Sequence, residues 1–251
     1  MSAIAISLIA FAFVFGGAML GILLHSFLPG RHLNSETKEV VKLGMGLVGT
    51  VAALVLGLLV ASAKGTYDTQ SNELTEMSAK VALLDRVLAH YGPETKGARD
   101  QLRTAVVYNL DNLWAKEASS RIPKEGPSSS NEIVLDKIQE LSPQGDAQHS
   151  LKDQASSLVL SLGQTRWLMY AQRANPVSMT LVAMLVFWLM IIFISFGLFA
   201  PRNMTVVASL FLAALAISGA ILLILEMSAP YSGLIQISKA PLMAALSRLG
   251  Q

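Results

Sequence analysis

Four long uncharged runs, joined by segments with helical repeats, predict an all-α membrane protein. Three observations lead there. Only 14% of the 251 residues are charged and 53% are hydrophobic, whereas a soluble domain carries about 25% charged residues. The missing charge is concentrated in residues 3–24, 43–63, 176–200 and 204–225, each long enough at 1.5 Å per residue to cross a hydrocarbon core of roughly 30 Å. Between the runs, apolar residues recur at three and four rather than at two.

Residues 3–24 lack a basic leader and a small-residue cleavage site, so they are expected to be a retained span. Gly17 and Gly21 form a GxxxG pair, a helix-packing pattern. Pro29-Gly30 marks a turn, and Asn34 or Ser35 followed by Glu36 opens the next helix. The second span, 43–63, has no breaker at its end. Beyond Lys64, Leu74, Met77, Val81, Leu84, Leu88 and Tyr91 follow a 3-4 spacing, so the span is expected to continue as a seam-patterned helix up to Gly92-Pro93. The seam covers little more than two heptads, and packing inside one protomer's bundle is its default role.

Residues 94–119 form the next helix, with Leu102, Val106, Asn109 and Leu113 on one face. Residues 121–131, with prolines, Gly126 and a Ser run, read as a loop. Residues 132–141 form a short helix stopped by Ser142-Pro143, and 147–173 a long one striped by Leu151, Ala155, Leu158, Leu162 and Met169. Asn175-Pro176 opens the third span, Pro201-Arg202-Asn203 turns the chain, and Glu226 closes the fourth span. Pro230, Tyr231 and Gly233 belong to a C-terminal turn. The last stretch is short and apolar on one side, suited to the interface or to packing under the bundle. The expected organisation is two spans in 1–64, a cytoplasmic helical bundle in 65–174 built on extensions of the second and third spans, two further spans in 175–226, and an interfacial segment in 227–251.

Orientation follows from basic residues near the spans. Lys64, Lys80, Arg166, Arg173, Lys239 and Arg248 lie on the side of the bundle and both termini; Arg31, Lys38, Lys42 and Arg202 lie opposite. The balance favours a multi-pass membrane protein with the bundle and both termini in the cytoplasm. The net charge of +2 and the lack of basic arms give no reason to expect nucleic acid. There is no cysteine, which removes disulfides and thiolate ligands. His25, His32, His90 and His149 have no partner at metal spacing, and no Gly-rich phosphate cradle, HExxH or GxSxG occurs. No cofactor, metal or catalytic residue is expected, and the reading is a non-enzyme; an intramembrane enzyme built from scattered residues is the weakest alternative.

In the C-terminal third, Arg166 and Arg173 stand before the third span, Pro176 starts it, and Leu225-Glu226-Met227-Ser228-Ala229-Pro230-Tyr231-Ser232-Gly233 is followed by Ile237-Ser238-Lys239-Ala240-Pro241-Leu242. By these residues the C-terminal third resembles the bestrophin-like (DUF4239) family of bacterial membrane proteins. The N-terminal half is similar too, through a Gly-rich second span leading to Glu73 and Leu84-Asp85-Arg86, then Tyr108 and Trp114. Glu226 stands where an Asp is commoner and Tyr231 where a Phe is. No acidic cluster resembles the calcium clasp of true bestrophins, and no phenylalanine triplet resembles their hydrophobic neck. The resemblance implies a four-span helical architecture and a homo-oligomeric ion channel, with small inorganic ions, the lipid bilayer and further copies of the chain as partners.

On the second span, Gly49, Ala53, Gly57 and Ala61 form a small-residue stripe. Two readings stay open: helix packing within one protomer, or packing about a symmetry axis that leaves a pore lined by Thr50, Leu54, Leu58, Ser62 and Thr66. Lys64, Arg166 and Arg173 read as boundary charges that anchor headgroups or form a positive vestibule. Glu226 reads as a helix-end carboxylate held by a nearby Arg or by the Pro230 turn. A channel with anions slightly preferred is the first functional expectation. A non-conducting scaffold or sensor, whose bundle binds a partner, is the second.

Overall fold

The structure is a computed structural model that describes residues 2–28, 35–114, 129–173 and 178–250. Pro29-Gly30, His32, most of the expected 121–131 loop and the Asn175-Pro176 start lie outside them. Among the described residues the regular structure is entirely helical. In chain order it comprises α1 (Ala3–Leu24), α2 (Ser35–Tyr91), a 3₁₀ turn (Pro93–Thr95), α3 (Lys96–Leu113), α4 (Ser129–Gln139), α5 (Asp146–Arg173), α6 (Met179–Phe199), α7 (Met204–Met227) and α8 (Ala240–Arg248). Helices α1, α2, α6 and α7 are long and apolar enough to cross a membrane. The chain divides into two compact units, 1–66 with 177–228, and 67–176 with 229–251.

In the first unit α1 packs against α6 and α7. Lipid tails are as apolar as leucine, so close backbone approach rather than water exclusion holds such helices together. Gly21 supplies it from one side: a Cβ there would strike the Ile194 carbonyl and the Leu198 amide of α6. Gly197 supplies it from the other, where a Cβ would strike the Ala18 carbonyl of α1. Phe11 and Phe15 pack edge-on against Phe211 of α7, with ring centroids 5.4 Å apart in both pairs. Ser2 caps α1 by accepting from the Ala5 amide, and Asn203 caps α7 by accepting from the Val206 amide at 2.8 Å, satisfying amide groups that a helix start leaves without partners. At the opposite end of α1, Arg202 donates to the Ile22 carbonyl at 3.1 Å, and His25 Nδ1 lies 2.7 Å from the Leu198 carbonyl.

The second unit has a core of the ordinary soluble kind. Leu74, Met77, Val81, Leu84, Leu88 and Tyr91, the seam of α2, are all buried, and all but Tyr91 share one core with Leu102 and Val106 of α3, Val134 and Ile138 of α4, and Ala155, Val159, Leu162 and Met169 of α5. Helix α2 ends where Gly92 takes φ = 140°, a region open to glycine and strained for other residues. Thr95 Oγ1 then donates to the Leu88 carbonyl at 2.7 Å, and Lys152 donates to the Gln139 and Leu141 carbonyls at the C-terminal end of α4.

The C-terminal segment belongs to this unit. Leu242, Ala245 and Leu249 are buried in its core together with Ile237 and Tyr231, so the apolar side of α8 faces the bundle. Asp85, 6% exposed in its side chain, receives Arg99 Nε at 2.7 Å and Nη2 at 3.0 Å, and its Oδ2 also accepts from the Gly250 amide at 3.3 Å. The hydrogen bond to Asp85 raises the Arg99 pKa, against burial, which lowers it.

Candidate functional site

Helix α2 is one unbroken helix of 57 residues, and its first part is the least covered of the four apolar helices. Only 11% of its most apolar stretch is buried, against 22–33% for α1, α6 and α7. Its packed side is narrow: Ala52, Leu59 and Ala63 are buried, at i, i+7 and i+11. The opposite side is bare within the chain. Leu43, Leu47, Val51, Leu54 and Leu58 are exposed there, as are Thr50 and Ser62, while Thr66 is half-buried.

The small-residue stripe lies on the flank of that bare side. Ala53, Gly57 and Ala61 are exposed and Gly49 is half-buried. A Cβ built at Gly49 or Gly57 meets nothing within 4 Å, so inside one chain these glycines do not receive a neighbouring helix as Gly21 and Gly197 do. Thr50 donates to the Gly46 carbonyl at 3.0 Å and Thr66 to the Ser62 carbonyl at 3.1 Å. Both hydroxyl protons thus go to the helix's own backbone and leave the oxygen lone pairs outward.

Lys64 is exposed on α2, and Glu226 is buried in the last turn of α7. The side chain of Arg173 lies outside the described residues. Arg166 is in the second unit, facing inward. It lines a cavity of about 20 Å³ with Met77, Val81, Asn109, Asn131 and Leu162 among its neighbours. Its Nη1 is buried without a hydrogen-bond partner. Burial pushes the guanidinium pKa down, and Tyr108 opposes this in part. The sequence left headgroup anchoring and a positive vestibule open for Arg166; its burial follows its register, because Arg166 follows Leu162 by four and precedes Met169 by three on the buried stripe of α5.

The C-terminal turn is a packed corner. Pro230 and Tyr231 are buried and Gly233 takes φ = 89°. The Tyr231 ring stands edge-on to Trp114 at 5.5 Å, and Trp114 Nε1 donates to the Ile237 carbonyl at 3.0 Å. Ile237 N closes the corner onto the Pro230 carbonyl at 2.8 Å, and Lys239 Nζ sits 5.4 Å from the Trp114 ring centre, within cation–π range. Nearer the start of the second unit, Gln172 Nε2 donates to Glu73 Oε1 at 2.7 Å. Among the described residues no three His, Cys, Asp or Glu side chains are placed to hold a metal ion.

Four apolar helices of spanning length define a polytopic all-α membrane protein. The sequence matches the model of the Bestrophin-like domain over residues 12–242, and the chain belongs to the bestrophin-like family. The fold agrees. A crystal structure of a point variant of a bacterial bestrophin homologue from Klebsiella pneumoniae superposes with a TM-score of 0.73 at 13% identity, covering 98% of this chain and 99% of that one. A second variant of that homologue gives 0.69 at 14% identity, covering 99% and 97%. A crystal structure described only as a membrane protein gives 0.63 at 13% identity, covering 96% of both chains. No curated protein matches the sequence.

Proposed function

We propose that this chain is the subunit of a homo-oligomeric ion channel whose pore is lined by the first part of α2. The observation that carries the proposal is the bare side of that helix. A spanning helix with Thr50, Leu54, Leu58 and Ser62 uncovered in its own chain, and with Gly49 and Gly57 facing open space, is suited to packing against copies of itself around an axis. Membership of the bestrophin-like family supports the same reading. In such a ring, Leu54 and Leu58 form an apolar constriction that gates by dewetting, and the hydroxyls at Thr50, Ser62 and Thr66 give it polar rims. Anions are the preferred cargo. The channel sits in the bacterial inner membrane with the second unit and both termini on the cytoplasmic side, following the distribution of basic residues.

A second reading is supported by a different surface. Leu160, Trp167 and Leu168 are each about half exposed on α5 and share a face at i, i+7 and i+8. A non-conducting scaffold would use that face to hold a partner protein.

Flux assays on purified protein in liposomes, with chloride and potassium gradients applied separately, decide between the two. The channel reading expects selective flux that rises in Leu54→Ser or Leu58→Ser. Absence of flux from a well-folded oligomer, across pH and calcium, refutes it and favours the scaffold.

A further inference from the structure

Arg166, half-buried beside the cavity it lines, carries a positive charge that no described residue balances. The guanidinium makes no ion pair or hydrogen bond with any described residue, and its Nη1 is sealed from solvent. Arginine does not escape such a position by losing its proton, because its pKa is too high. Protein interiors meet a desolvated charge with a counter-charge and hydrogen bonds, and here the described residues supply no counter-charge.

What they do supply is further hydrogen-bonding capacity. Asn109 of α3 and Asn131 of α4 line the same cavity, and no hydrogen bond joins either side chain to a described residue. Asn131 reaches this position across Gly163 of α5, where a Cβ would stand 3.7 Å from Asn131 Nδ2. Three helices therefore bring a guanidinium and two amide groups to one hollow whose remaining wall is apolar, including Met77, Val81 and Leu162. Each amide presents N–H donors once its carbonyl is turned away.

We propose that this hollow is a binding site for one small monovalent anion, of the chloride or bromide class, held by Arg166 with Asn109 and Asn131. Size and charge both select it. A cavity of about 20 Å³ accommodates a particle of the order of a water molecule, which needs roughly 10–15 Å³, and favours a small anion over sulfate, phosphate or a nucleotide. One guanidinium between two neutral amides balances one negative charge, not two. The site joins α3, α4 and α5 around the seam of α2, so occupancy ties the stability of this unit to the anion concentration. It lies inside one chain and stands whether or not the protein conducts.

Thermal unfolding of the full-length protein in detergent tests it, with sodium chloride or bromide exchanged for sodium gluconate at constant ionic strength. An anion that binds only the folded state raises the melting temperature as its concentration passes its Kd. Expected is a saturable rise of several degrees in chloride and bromide, absent in gluconate and sulfate, and abolished in Arg166→Met. Because Arg166→Met can alter folding, Asn131→Leu is the second variant; it keeps the charge and fills the hollow, and it should weaken the apparent affinity at least tenfold. Anomalous diffraction from bromide-soaked crystals of the intact protein should place bromide beside Arg166 Nη1. A chloride response unchanged in both variants, or a hollow that holds water alone at high bromide, overturns the proposal. Loss of flux in Leu54 or Leu58 variants with the chloride response intact would bear on the channel reading and leave this one standing.

Discussion

Replacing Asp85 with alanine removes the partner of an arginine that cannot follow it out of the core. In the native protein the carboxylate takes two bonds from Arg99, at 2.7 and 3.0 Å, and a third from the Gly250 amide at 3.3 Å. Breaking a fully buried pair from one side costs about 3–5 kcal/mol, mostly the penalty of the charge left behind. Arg99 keeps 22% of its side-chain exposure, so water reaches part of the guanidinium and the expected loss for Asp85→Ala is about 2–3 kcal/mol. The converse change, Arg99→Met, strands a carboxylate that is only 6% exposed and should cost more, about 3–4 kcal/mol. Removing both charges together, Asp85→Leu with Arg99→Met, leaves no charge unpaired, and the Gly250 amide, on an exposed residue, can turn to water, so the double variant should fall within about 1 kcal/mol of the native protein. At roughly 2–4 °C per kcal/mol for a chain of this size, Asp85→Ala should lower the melting point by about 4–12 °C and Arg99→Met by about 6–16 °C, with the double variant close to native. The assay is far-UV circular dichroism of the full chain in detergent, compared at one scan rate. A double variant that falls by the sum of the two singles would show that the charges do not depend on each other and would refute the reasoning.

Other substitutions probe other parts of the fold. Gly197→Leu drives a side chain into the α1 backbone at Ala18, a contact without flexible give, and should cost about 3 kcal/mol or more; size-exclusion profiles should show loss of the monodisperse species, and an unchanged profile and melting point would contradict the close crossing. Trp114→Phe keeps a ring against Tyr231 but leaves the Ile237 carbonyl without its donor, an expected loss of about 1–3 kcal/mol seen as a lower melting point. Leu84→Ala, at a site with no exposure, should cost about 3–5 kcal/mol, whereas Leu58→Ala, 70% exposed within the chain, should leave the protomer's helical content unchanged and alter the oligomer or its flux instead. Equal thermal losses at the two positions would mean that the bare side of α2 is packed within its own protomer.

The parts of this fold legible in the sequence are those whose cause is local. The uncharged runs, the 3-4 seam from Leu74 to Tyr91 and the Gly92-Pro93 stop each act within a turn or two, and α1 and α2 end within a residue of their expected bounds. Helix α4 starts at Ser129 rather than at Glu132 because a Ser-Ser-Asn run suits a helix start as well as a loop. The small-residue stripe was ambiguous for a physical reason. Gly17-Gly21 and Gly49-Gly57 offer the same kind of groove, yet only the first is filled within the chain; a groove says that something can approach and not which helix does. The Asp85–Arg99 pair was missed because it forms across the reversal after Tyr91, and spacing along one helix carries no information about it.

Arginines 99 and 166 show how far such reasoning reaches. Both sit on helices of the second unit, and composition treats them alike. Arg99 faces a carboxylate, and its proton is held more tightly by that bond. Arg166 faces two amides and an apolar wall, and burial works against its charge. A fold that needed only a long side chain at 166 would be better served by methionine, which fills space without carrying a charge out of water. Keeping arginine there is costly to an empty protein and cheap to one with an anion in place. Arg166→Met should therefore melt higher than the native protein in gluconate and lose that advantage as chloride rises, a crossing of two curves that a purely structural arginine would not produce.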